Sequence, residues 1–133
     1  MTDHQKMLVQ TSFKQVLSIA DQAATLFYNR LFEVAPDVKA LFKGDMAEQG
    51  RKLFQVIAFA VNSLDNPRVL LPAVRNLGNK HRTYGVQFAH YEAVGETLLW
   101  TLNKGLGEAF TPEVETAWTT VYGLLASTMR TVD

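Results

Sequence analysis

The sequence predicts an all-α domain, and three observations carry that reading. Apolar residues recur at three-to-four spacing: Met7, Leu8, Phe13, Val16 and Leu17, then Leu53, Val56, Ile57 and Ala60, later Leu98, Leu102 and Leu106. Strand-like alternation is absent over any useful length. Proline stands only at positions 36, 67, 72 and 112, which divides the chain into long segments.

Taken in order, Thr2 or Asp3 can cap a first helix over about 3–19, because a side-chain oxygen there satisfies an otherwise unpaired N–H. Ala20 or Asp21 opens a second helix, which ends near Val34, since the residue before Pro36 is biased away from helical geometry. Pro36 suits the first position of a short helical turn leading to Leu41 and Phe42. Lys43, Gly44 and Asp45 form a loop, and a long helix follows from about Met46 to Leu64, stopped by Asp65, Asn66 and Pro67. From Arg68 to Tyr84 the helical signal weakens. Pro72, Asn76, Gly78 and Asn79 are poor helix formers, Gly costing about 1 kcal/mol relative to Ala, so this segment should need a partner outside itself. Gly85 ends it as a left-handed cap. Two more long helices run over about Ala89–Leu106 and Pro112–Met129, the second announced by Thr111-Pro112-Glu113-Val114-Glu115. Six or seven helices result. Gly95 and Gly123 fall inside helices, where close helix contact is the natural reason for a glycine.

At 133 residues the chain reads as one domain over 1–133, and 47% hydrophobic against 20% charged residues suffices for a core. Thirteen basic and thirteen acidic residues give zero net charge, which removes the electrostatic case for nucleic acid or an acidic membrane surface. With no cysteine, disulfides, thiolate zinc sites, iron–sulfur clusters and thiol catalysis fall together, and a reducing cytoplasm fits. The first thirty residues carry polar side chains every few positions, so they read as neither signal peptide nor membrane span.

The three histidines stand at 4, 81 and 90. His4 is expected in solvent. His81 ends the weak segment, in Leu77-Gly78-Asn79-Lys80-His81, just before the Gly85 stop. Metal coordination through its Nε2 would stabilise the helix least able to stabilise itself. One imidazole makes no zinc site, but a prosthetic group with its own ligands can use it, and haem leaves room for one protein ligand and one open position.

The run Leu26-Phe27-Tyr28-Asn29-Arg30-Leu31-Phe32, then Pro36, Leu41-Phe42, Gln49, Leu53, the segment 77–81, His90-Tyr91, Val94-Gly95-Glu96, Ala117-Trp118 and Tyr122-Gly123 resembles bacterial single-domain globins. It is similar to the globin domain of flavohaemoglobins, over nearly the whole chain. The resemblance implies a globin fold around a haem pocket, with haem b as cofactor and His81 as the iron's proximal ligand. It implies that Phe42 stacks on the haem, the alternative being an ordinary core aromatic. Tyr28 and Gln49 are implied on the distal side, with Leu53 one turn beyond Gln49. The alternatives are a packed Tyr28 whose hydroxyl finds a backbone carbonyl, and a surface amide for Gln49. Ile57, Leu77, Tyr84, Val86 and Val94 are implied around the cofactor, and Trp118 on the proximal side. Tyr91 is implied to orient the ligating imidazole together with an acidic residue near the end of the last helix, by offset Asp133. Lys52 serves either a haem propionate or water, and His90 and Lys80 a structural or surface role.

The function so implied is reversible binding of dioxygen, with nitric oxide and carbon monoxide as further gas ligands, at a pentacoordinate iron. Oxygen transport and nitric oxide detoxification both fit. A phenol O–H and an amide N–H favour a ligand bearing partial negative charge, as dioxygen does and carbon monoxide does not. Nitric oxide dioxygenation would need a separate reductase, since the reductase domain of flavohaemoglobins is absent here. A gas sensor acting in trans on a partner protein is the alternative.

Overall fold

The computed structural model describes residues 2–42, 44–83 and 85–130. Six α-helices run in chain order: α1 (Asp3–Leu17), α2 (Ala20–Val34), α3 (Met46–Asn62), α4 (Pro67–Thr83), α5 (Phe88–Leu106) and α6 (Pro112–Arg130). Short 3-10 turns at Pro36–Leu41 and Gly107–Ala109 join α2 to α3 and α5 to α6. No strand occurs among the described residues.

The helix starts follow from local chemistry. Thr2 Oγ1 accepts the Gln5 N–H at 3.0 Å while the Gln5 side chain accepts the Thr2 N–H at 3.0 Å, a reciprocal cap on α1. Asp45 accepts the Ala47 N–H at 2.9 Å to open α3, and Thr111 accepts from Val114 at 3.3 Å to open α6. Helix α1 stops at Leu17, earlier than the apolar spacing implied, because Ser18 turns its hydroxyl back to the Gln15 carbonyl and Ile19 N–H takes Val16. The turn at Gly107–Ala109 carries no strong signal in the sequence.

The segment read as weak is a continuous seventeen-residue helix, Pro72 included. Its partner is α6. Gly78 lies so close to the α6 backbone that an added Cβ would overlap the Met129 carbonyl, and Arg82 Nη1 donates to that same carbonyl at 2.9 Å. Gly95 has an equivalent reason, since a Cβ there would come within 2.6 Å of the Tyr122 ring. Gly123 does not: it faces open space, and nothing in the structure explains a glycine there.

Helices α1, α3 and α6 enclose the main core, around Val9, Phe13, Val16, Phe54, Trp118 and Val121. Trp118 Nε1 donates to Ser12 Oγ at 2.8 Å, both groups being buried, so the one polar atom of the indole is satisfied inside the core. Ser12→Ala strands that N–H, and should lower unfolding free energy by about 1–3 kcal/mol in a urea titration; an unchanged midpoint would mean that the indole finds another acceptor. Helix α2 packs on α3 and α5, while α4 packs on α6. Helices α3 and α4 are thus held by different main neighbours, and among the described residues no extensive backbone contact joins them. None of the described helices is long and apolar enough to cross a membrane.

Candidate functional site

His81 sits in the last turn of α4, half-buried. The stop behind it is built on Gly85, whose φ of +90° suits a residue without Cβ. Gly85 N–H bonds to the Arg82 carbonyl at 3.1 Å and Val86 N–H to the His81 carbonyl at 2.9 Å, the two bonds of a Schellman cap. The main chain of His81 is therefore pinned by the helix stop. Its ring is steadied separately: Nδ1 lies 3.4 Å from the Tyr91 hydroxyl, and the two rings are 6.1 Å apart, tilted by 54°. Burial lowers the imidazole's pKa below the usual histidine value, so the ring is neutral at pH 7. Among the described residues, Nε2 has no hydrogen-bond partner.

Tyr91 is itself held from behind. The Tyr122 hydroxyl donates to the Tyr91 carbonyl at 2.5 Å, and the Arg130 guanidinium lies 5.9 Å from the Tyr91 ring centre. Burial raises the Tyr91 pKa against the opposing pull of Arg82 and Arg130, which keeps the phenol protonated.

A second group gathers between α2 and α3. Tyr28 is buried in an aromatic cluster, with Phe27 at 5.2 Å, Phe32 at 6.0 Å and Phe42 at 5.2 Å edge-on. Burial pushes its pKa up to about 12, so it keeps its proton. The hydroxyl donates to a backbone carbonyl at 3.3 Å, and that carbonyl belongs to Gln49. Phe42 is half-buried and also stands edge-on to Phe32 at 5.7 Å. Gln49, on the first turn of α3, is half-buried, and its side-chain amide makes no hydrogen bond among the described residues. Leu53 follows one turn later and packs against the Tyr28 cluster. Leu53, Ile57, Leu77, Val86 and Val94 are all half-buried apolar side chains on α3, α4, α5 and the α4–α5 link.

Other sequence expectations fall elsewhere. Lys52 is exposed and pairs with Glu48 at 3.5 Å. Trp118, expected on the proximal side, is buried in the main core with Phe13 at 6.3 Å and donates its N–H to Ser12 of α1. His90 has a structural role: its Nε2 meets Asp37 at 2.8 Å and its Nδ1 accepts the Gln87 N–H at 3.0 Å, tying the Pro36–Leu41 turn to the start of α5. That hydrogen bond holds the Asp37 carboxyl below its ordinary range. His4 is exposed, 3.5 Å from Glu113. Lys80 is exposed. Tyr84 and Asp133 lie outside the described residues. Ser12, Phe54 and the Tyr122–Tyr91 bond were not singled out from sequence; each depends on contacts between residues far apart in the chain.

Among the described residues, no cluster of three or more His, Asp or Glu side chains could hold a bare metal ion. A single imidazole suits only a group that brings most of its ligands with it.

The family model described as Globin matches residues 25–129. A flavohemoprotein of Rhodopirellula baltica is 37% identical over 114 residues, covering 84% of this chain and 28% of the relative. A flavohemoprotein of Vibrio cholerae is 39% identical over 103 residues, covering 75% of this chain and 26% of the relative. The chain thus spans about a quarter of the length of these relatives. A hexacoordinated heme protein from an anhydrobiotic tardigrade superposes with TM-score 0.88 at 22% identity, covering 98% of this chain and 93% of that one. An engineered carbene transferase from Rhodothermus marinus gives TM-score 0.84 at 28% identity, covering 96% and 89%.

Proposed function

Since the chain belongs to the globin family, we propose that it holds haem on His81 and binds diatomic gas reversibly, dioxygen first. One observation carries the reading: a neutral, half-buried imidazole with its backbone fixed, one ring nitrogen steadied and the other unengaged. The surroundings fit a large apolar disc. Half-buried Leu53, Ile57, Leu77, Val86 and Val94 expose carbon that a flat hydrophobic group would cover, and among the described residues no extensive backbone contact joins α3 to α4.

When bound, haem supplies the iron at which the gas is held. The chain's own residues set its anchoring and its preference. With Nε2 given to the metal, Nδ1 carries the proton and donates to the Tyr91 oxygen, which fixes the ring's orientation and raises its basicity. Tyr122, gripping the Tyr91 carbonyl, holds that acceptor in place. On the α3 side the Tyr28 phenol and the Gln49 amide are two neutral donors beside an aromatic wall. Each favours a partly negative ligand by about 0.5–1.5 kcal/mol. To serve this way the Tyr28 hydroxyl must leave the Gln49 carbonyl, a 3.3 Å bond and so a weak one. Gln is a poor iron ligand, which leaves the gas position open.

Tyr28→Phe should speed dioxygen release about tenfold, equivalent to roughly 1.4 kcal/mol, with little change for carbon monoxide. Stopped-flow displacement measures both, and equal changes for the two gases would remove Tyr28 from the gas site.

Similarity to the flavohemoproteins favours a second reading, conversion of nitric oxide and dioxygen with one electron to nitrate, the electron coming from a separate reductase. Mixing the oxygenated protein with nitric oxide and assaying nitrate with and without a cellular reductase tests it. Stoichiometric nitrate with no turnover in the presence of any reductase would leave gas binding alone.

A further inference from the structure

The chain is neutral overall, but its charge is not spread evenly. Helix α4 holds four of the thirteen basic residues, Arg68, Arg75, Lys80 and Arg82, and none of the thirteen acidic ones. The rest of the chain therefore carries a net charge of −4. Arg68, Arg75 and Arg82 recur every two helical turns, so they form one exposed row about 21 Å long, with neighbours about 10.5 Å apart. Among the described residues none of the four basic side chains makes an ion pair.

The row stands against local preference. Arg68 lies in the first turn of α4, where the helix dipole disfavours a cation, whereas α1, α2, α3 and α6 each place an acidic residue there. Arg82 is held in one direction, its two terminal nitrogens donating to the Met129 carbonyl and to the Asn79 side chain. A guanidinium so held loses little freedom when a carboxylate meets its remaining N–H groups.

The shape of the row selects its occupant. Three cations in a line are few for the phosphates of nucleic acid, which the remaining −4 repels. Pro72 and Asn79 lie between the arginines on the same face and offer no long apolar side chain to enter a bilayer. Acidic side chains on one face of a partner's helix recur at the same spacing of about 10.5 Å, and can meet all three arginines.

Resting on the nitric oxide reading, which needs a separate reductase, we infer that the row of Arg68, Arg75 and Arg82 is the docking face for an electron-donor flavoprotein with an acidic surface. His81 lies about 120° around α4 from the row, so a docked donor stands one helix thickness, about 10–12 Å, from the side that bears the imidazole. The step served is transfer of one electron from the donor's reduced flavin to haem iron, with no bond made or broken.

A flavodoxin, a small acidic flavoprotein, serves as the probe. Anaerobic stopped-flow mixing of photoreduced flavodoxin with the ferric haem protein should give a second-order rate that falls about tenfold as ionic strength rises to about 0.15 M. Arg68→Gln and Arg75→Gln together should lower the low-salt rate at least about fivefold and flatten its salt dependence. Lys14→Gln with Lys104→Gln, the same charge change on α1 and α5, should leave it within about twofold. Arg82 stays intact, because it also holds α6. Arg68→Glu separates docking from folding: it should raise the urea midpoint through the helix dipole and yet slow the reaction. Shifts of the backbone amide resonances of 67–83 on adding flavodoxin to the haem-free protein read docking without gas or iron, so they support the face even if the gas-binding reading fails. Equal rates for the α4 pair and the control pair, no amide shifts on α4, or equal shifts with a DNA duplex or phosphatidylglycerol vesicles would overturn it.

Discussion

The His81→Ala protein should lose its haem. No second imidazole stands near Nε2 to replace it, since His90 is committed to Asp37 and Gln87 and His4 lies in solvent. Hemin affinity should fall roughly 100-fold or more, about 2.7 kcal/mol, and the Soret band should drop out on gel filtration. Free imidazole added to the variant should restore part of the band, because the space left by the ring retains the Tyr91 hydroxyl. An intact Soret band without imidazole would end the assignment of His81. The same ring carries a pH dependence. Its folded pKa is lowered by burial, so the unfolded chain takes up the proton first as pH falls. The contribution to stability is complete above the unfolded histidine value of about 6.5 and is lost as pH falls through the folded one. Haem retention should weaken over the same range, because only the neutral imidazole ligates. In the haem-free protein, His81→Ala should flatten the acid limb of stability; an identical acid limb would show that another group controls it.

Gly78→Ala should be the most destabilising of the glycine-to-alanine changes within the helices. Helix propensity alone predicts a gain of about 1 kcal/mol. Against it, the new Cβ meets the Met129 carbonyl and peptide, which are main chain and cannot swing aside. Helices α4 and α6 must separate, at about 3 kcal/mol, so the clash wins over propensity. Gly123→Ala is the control: nothing lies within 4 Å, and propensity should act unopposed. Urea midpoints that move in opposite directions are the expected result. A stabilised Gly78→Ala would mean that the helices do not approach as described.

These two glycines also mark how far the sequence could be read. All six helices followed from apolar spacing, prolines and caps, because these signals are local and the chain obeys them. The poor helix formers of the segment from Arg68 to Tyr84 were legible, and with them the expectation of a partner outside it. That the partner is the α6 backbone was not, since Gly78 and Met129 are fifty-one positions apart and neither carries a pattern. Gly78 and Gly123 look alike in sequence, yet one is a contact and the other an exposed surface position. Among site residues, His81 and Tyr91 come together, as do Tyr28, Phe42 and Gln49. Their identities were taken from a resemblance; their contacts come from tertiary packing.

The Met129 peptide touches α4 twice, through Gly78 and through Arg82, one turn before His81's cap. Mechanically, the end of α6 is a lever whose short arm bears on the helix that carries His81. At Gly78 no side chain lies between the two backbones, so a displacement of a few tenths of an ångström at residue 129 passes directly to α4. A load on the chain at Thr2 would instead be borne by α1, through the Thr2 hydroxyl and N–H that make its reciprocal cap.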